Sequence, residues 1–266
     1  MKKIIVLLIT VFLVNSIAAQ MDEKFYHPDK KWIPISISNY SEMTLVAEQD
    51  TLYPAVIKPV DKPKANILYF HGNGSNISKW IDHVKPLVDD GYQVYMLDYR
   101  GYGKSTGKPT HLNIAHDAQL LLNTLLQEPG FTDLPLIVYG VSIGTQVATH
   151  ITCNNNDKVS ALVLDGMMSS FTDIALATSP EEYHLYIKQL LVSPYSAKED
   201  IQHIQNINLL VIHSEEDLIP ISGARSVYES AVCTKKFWLY EGKHVEAALK
   251  YPVEMVRYIN ELITSN

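Results

Sequence analysis

Ser142 lies in Gly140-Val141-Ser142-Ile143-Gly144, between the apolar run 136–139 and a stretch of helical spacing. The pattern reads as a strand turning into a helix within a few residues, where side chains at the two glycines would meet neighbouring backbone. Such a turn lifts the serine hydroxyl above the strand end. The first amides of the following helix lack internal partners there and can face a developing negative charge. A serine hydroxyl is a poor nucleophile at its free pKa and needs a base to take its proton. The five-residue pattern arises by chance in roughly one chain in ten of this length. The rest of the sequence must therefore supply the partners.

His244 follows the last strand-like run, and no histidine lies beyond it. It is the expected base. His71 competes by position, but a histidine before a glycine turn is expected to be a hydrogen-bonded structural residue. His83, His111, His116, His150, His184 and His203 read as surface or packing residues, since no metal-ligand spacing links them. A carboxylate must fix the tautomer of the base and stabilise its imidazolium. Asp217, after the penultimate strand-like run, is the expected acid; Asp165, one strand earlier, is the alternative; Glu215 and Glu216 read as solvated loop charges. The Ile143 and Asn73 amides are the expected oxyanion donors, with Gly72 and Gly74 leaving room for substrate. The competing reading makes 71–74 a tight turn and nothing more.

These residues share one placement rule. Apolar runs at 66–70, 93–97, 136–139, 161–164, 209–212 and 236–240 alternate with helical stretches at 78–89, 114–126, 223–231 and 253–263. That rhythm predicts an α/β fold with a mostly parallel sheet of about eight strands, covered on both faces. Functional groups of such a sheet gather beyond the carboxyl ends of its strands. Serine, acid and histidine occur there in the order Ser…Asp…His. Runs at 43–47 and 53–58, with Pro54 and Pro59, predict an antiparallel pair at a sheet edge. Residues 21–39 read as an irregular lead-in.

The chain has 266 residues, 47% apolar and 19% charged, with a formal charge of −7. An acidic chain without a Lys/Arg cluster argues against nucleic acid or an anionic membrane surface as partner. Residues 1–19 read as an export signal: Lys2 and Lys3, an apolar run to Val14 too short to span a bilayer comfortably, then small residues ending in Ala18-Ala19. Residues 20–266 are expected to form one exported domain, periplasmic or secreted. Cys153 and Cys233 lack C-x-x-C spacing, which points to neither metal nor redox motif. Export would permit a disulfide between them, but their placing, one at a helix end and one before a late strand, argues against it. Gly103-Lys104-Ser105 is no phosphate loop, since Asp98 stands where that pattern needs glycine. No cofactor or metal is expected.

Leu68-Tyr69-Phe70-His71-Gly72-Asn73-Gly74, the stretch 98–105, the Ser142 pentapeptide and Ser170-Phe171-Thr172 resemble the serine aminopeptidase/esterase-like branch of the α/β-hydrolase superfamily. Within it they are most similar to the BEM46-like and ABHD13/ABHD17-like hydrolases. The resemblance runs from about Tyr53 to the C-terminus and implies Ser142 as nucleophile, Asp217 as acid and His244 as base. It also implies a short cap at about 166–204, between the sixth and seventh strands of the sheet. Two departures stand out: His213-Ser214, where relatives usually carry His-Gly, and Gly242-Lys243-His244, where they often carry Gly-x-Gly-His. The expected activity is cleavage of a small-molecule carboxylic ester or thioester through an acyl-enzyme. The alternatives are a peptidase or amidase on the same fold, or a binding protein without catalysis.

Overall fold

The computed structural model describes residues 22, 24–191 and 193–264. The expected export signal lies outside the described residues.

Among the described residues ten strands form in chain order: β1 (Tyr40–Glu42), β2 (Leu45–Ala47), β3 (Asp50–Leu52), β4 (Ala55–Ile57), β5 (Ala65–Phe70), β6 (Tyr92–Leu97), β7 (Leu136–Val141), β8 (Ala161–Asp165), β9 (Asn208–Ser214) and β10 (Thr234–Tyr240). Eight of them make one sheet in the order β1-β4-β6-β5-β7-β8-β9-β10. From β6 to β10 every pairing is parallel, and only β1 and β4 at one edge pair antiparallel. The predicted fold class holds.

Strands β5, β7 and β8 are buried at every position, as both faces of the sheet are covered. Their side chains alternate between two cores. Leu68, Phe70, Val138 and Leu164 enter one, against helices α2 (His111–Leu125) and α3 (Gly144–Asn154). Ile67, Tyr69, Ile137 and Val163 enter the other, against α1 (Ile77–Asp89) and the closing helix Pro252–Thr264. Helix α2 begins earlier than its apolar spacing suggests, because Thr110 caps it: its hydroxyl accepts from the Asn113 amide at 3.1 Å.

One expected pairing fails. In backbone hydrogen bonds, residues 43–47 and 53–58 meet only at the Met43 amide, which donates to the Pro54 carbonyl at 2.8 Å. Leu45–Ala47 folds onto Asp50–Leu52 as a separate two-stranded ribbon, turning at Glu48 with φ of 58°. Tyr40–Glu42, outside the expected run, takes the edge place against Ala55–Ile57. The two-residue turn at Glu48-Gln49 wins because it closes locally, whereas the expected pair would have closed a longer loop.

Between β8 and β9 stand α4 (Phe171–Thr178), α5 (His184–Leu190) and single helical turns, in the place expected for the cap. Cys153 and Cys233 are both free.

The loop after β6 is tied down by charge. Arg100 is 4% exposed and meets both carboxylate oxygens of the fully buried Asp117, at 2.8 and 2.9 Å. Removing one partner of a buried pair leaves the other charge uncompensated. Arg100→Met is therefore expected to lower the unfolding free energy by about 3 kcal/mol or more, read from urea denaturation.

Candidate active site

The strand-to-helix turn at Ser142 is set by packing on both sides. A Cβ on Gly144 would lie 2.2 Å from the Phe70 carbonyl oxygen, and one on Gly140 would lie 2.4 Å from the Gly144 carbonyl oxygen. Neither position accepts a side chain. Ser142 takes φ of 52°, a left-handed conformation costly for a non-glycine residue, and its amide donates to the Asp165 carbonyl at 2.8 Å.

From this perch Ser142 Oγ stands 2.9 Å from His244 Nε2. His244 Nδ1 lies 2.7 Å from Asp217 Oδ1, and the Asp217 carboxylate is 1% exposed. The same Asp217 oxygen accepts from the Ile219 amide at 2.8 Å. The three expected residues thus come together although their sequence positions are far apart. On its other side Asp217 meets His213, whose Nδ1 lies 3.9 Å from Oδ2. Burial lowers the His213 pKa, which keeps that ring neutral beside the carboxylate.

Asp165, the alternative acid, does not join this line. Its carboxyl is buried below the site, with the Tyr139 hydroxyl donating to Oδ2 at 3.3 Å and no hydrogen-bond partner at Oδ1. Burial pushes its pKa up to about 7, against the opposing pull of the nearby His244 charge. His71 is fully buried, pairs with Asp98 Oδ1 at 3.3 Å, and packs against Tyr99 and Tyr102. Asp98 Oδ1 also caps α1 at the Ile77 amide. That is the structural role expected for His71.

Asn73, Ser142 and Ile143 line one cavity of about 880 Å³. Among the described residues neither the Asn73 nor the Ile143 amide donates to a backbone carbonyl. The Asn73 side chain is held elsewhere, its Oδ1 accepting from the His27 amide at 2.9 Å and from the Tyr102 hydroxyl at 3.2 Å. Cap residues Ile174, Tyr183, Tyr186, Ile187 and Leu190 supply an apolar wall, and among the described residues Lys24 is the only charged one on the lining.

Three contributors escape the sequence reading. Gly166 has φ of 60°, and a Cβ there would lie 2.8 Å from His244 Cε1, so the base rests on bare backbone. The dipeptide Asp165-Gly166 at a strand end was the available signal. Ser214, one of the two departures, donates from Oγ to the Gly242 carbonyl and accepts from the Glu216 amide at 3.2 Å. It couples the loop bearing the acid to the loop bearing the base. The lead-in, irregular as expected, packs Phe25 into the cavity lining and ties Tyr26 to His111 at 2.7 Å.

Comparison with known proteins finds relatives in sequence and in fold. A sequence model of the family described as serine aminopeptidase, S33, matches residues 61–180. The uncharacterized protein YfhR of Escherichia coli (strain K12) is 29% identical over 244 residues, covering 89% of this chain and 84% of its own. The protein bem46 of Schizosaccharomyces pombe is 32% identical over 166 residues, covering 60% of this chain and 53% of its own. In sequence the chain is similar to α/β-hydrolases, and within them to the BEM46-like branch. The esterase Pf2001 of Pyrococcus furiosus superimposes with a TM-score of 0.71 at 20% identity, over 91% of this chain and 97% of that one, which bears on the fold alone.

Two outcomes follow from the site. Gly166→Ala is expected to slow modification of Ser142 by a fluorophosphonate at least tenfold, by displacing His244. Gly130→Ala, at a similar φ of 79° but with only the Asp133 carboxylate near, at 3.8 Å, is expected to leave that rate unchanged. Asp165 has a native pKa above its unfolded value, so the native state keeps a proton that the unfolded chain releases from about pH 4. Native stability is therefore lost as pH rises from about 4 to 7. Asp165→Asn is expected to match wild type in urea denaturation at pH 4 and to exceed it by roughly 2–4 kcal/mol at pH 8.

Proposed function

We propose that this chain is a serine hydrolase that cleaves a carboxylic ester or thioester through an acyl-enzyme. The observation that carries the proposal is the aligned relay, Ser142 Oγ to His244 Nε2 at 2.9 Å and His244 Nδ1 to Asp217 at 2.7 Å, at the floor of an apolar cavity. His244 takes the proton from Ser142 as Oγ attacks the substrate carbonyl. The charge that develops on the carbonyl oxygen is met by the Asn73 and Ile143 amides, each contributing about 3 kcal/mol to the barrier reduction. His244 then hands its proton to the departing alcohol or thiol. Water, activated by the same base, releases the acid. Asp217 holds the imidazole in the tautomer that presents a bare Nε2 to the serine and stabilises the imidazolium.

A peptidase is the second reading, favoured by the description of the matching family. Recognition of a free peptide amino terminus needs a carboxylate near the reacting carbonyl. Among the described residues the cavity lining offers Lys24 and no acid, which supports the ester reading. Residues 1–19, read as an export leader, would place the reaction outside the cytoplasm.

With p-nitrophenyl butyrate as substrate, Ser142→Ala is expected to abolish turnover. Asp217→Asn is expected to lower kcat by about 10³–10⁴-fold. Asp165→Asn is expected to change it less than tenfold. A large loss confined to Asp165→Asn would reassign the acid.

A further inference from the structure

The cavity above Ser142 ends against Met168, Ile174 and Ile219. The same three residues also line a second cavity of about 250 Å³ on their far side, with Ala177, Pro220, Ser222, Gly223 and Ser226. Three apolar residues are thus shared by two hollows, and they differ in how firmly they are held. The Met168 backbone is pinned, its carbonyl accepting from the buried Gln146 side chain at 2.6 Å, and its side chain is 5% exposed. Ile219 is anchored by its amide on Asp217. Ile174 stands on the short cap helix α4 and is half-buried, so it is the member whose size can change at least cost to the fold.

The far hollow is suited to hydrocarbon. Two of its polar side chains are paired: Ser169 Oγ donates to Asp173 Oδ2 at 2.8 Å, and Lys198 lies 3.7 Å from the same oxygen. The rest of the wall behind the shared residues is Ala177, Pro220, Gly223 and the small hydroxyl side chains of Ser222 and Ser226.

We propose that Ile174, backed by Met168 and Ile219, is the stop that limits the length of acyl chain this site accepts, and that the hollow behind it is an extension of the acyl pocket closed to substrate in the wild type. The inference rests on the serine-hydrolase reading above. A chain that reaches the stop must fold back or remain in water, whereas a chain allowed through exchanges water for apolar walls. Each further methylene so buried is worth about fourfold in kcat/KM.

The test is a series of p-nitrophenyl esters from acetate to dodecanoate. For wild type, kcat/KM is expected to climb with acyl length and then level off. Ile174→Ala is expected to move that levelling point to longer chains, gaining about fourfold per added methylene over one or two methylenes. Ile174→Ala/Ser222→Phe, which refills the far hollow from its exposed side, is expected to return to the wild-type profile. Thermal denaturation of each variant separates a lost fold from a changed profile. An Ile174→Ala profile that matches wild type, with butyrate turned over normally, would overturn the stop. So would a gain that survives Ser222→Phe, or a length dependence that follows the alcohol portion of acetate esters instead. Failure of wild type to hydrolyse any ester of the series would remove the hydrolase reading itself.

Discussion

The close approach of Gly144 to the carbonyl end of β5 is the contact on which the site depends. The nucleophile helix starts so near the Phe70 and His71 carbonyls that even a methyl group would not fit. That approach lets the chain reverse from strand to helix around one residue, and Ser142 takes the left-handed φ of 52° that results. The strain is held by surroundings that leave no alternative: the Ser142 amide is bonded to the Asp165 carbonyl, and Gly140 packs under Gly144. Everything the serine can do follows from that fixed position. Its hydroxyl clears the sheet, meets His244 and opens to the cavity in one arrangement.

Two aspartates at neighbouring strand ends are given different work by their environments. Asp217 sits on a loop where an amide donor and the His244 ring converge on one oxygen, so its charge is used. Asp165 faces the tyrosine-rich core with one oxygen unpartnered, so burial holds its proton on to about pH 7. Its main-chain carbonyl accepts from the Ser142 amide. The following glycine lies against His244. The same short segment thus serves the site through backbone, while its carboxyl stays out of the relay.

Much of this was legible in the sequence because each reacting residue follows a continuous apolar strand, and the parallel sheet sends all those ends to one side. The eight-stranded sheet and the convergence of Ser142, Asp217 and His244 came from that regularity, and the cap position from the family resemblance. What was not legible depends on contacts between segments with no period of their own. Residues 26–37 have no regular structure, yet the His27 amide fixes the Asn73 side chain, and Tyr26 reaches His111. Ser214 reads as an unexplained departure until its hydroxyl is seen to join the acid and base loops. The edge pairing failed for a similar reason. A two-residue turn at Glu48 diverted Leu45–Ala47 into its own ribbon, and apolar spacing carries no record of such local closure.

The central claim is that substrate acyl groups pass through a covalent bond to Ser142 Oγ. Quenching the wild-type protein in acid during turnover of a slowly deacylating p-nitrophenyl ester, followed by peptide mass mapping, tests it directly. The account predicts one acyl mass, carried by the peptide containing Ser142, and none in Ser142→Ala. Turnover of the ester with no acyl mass on that peptide, or with the acyl group on another residue, would contradict it.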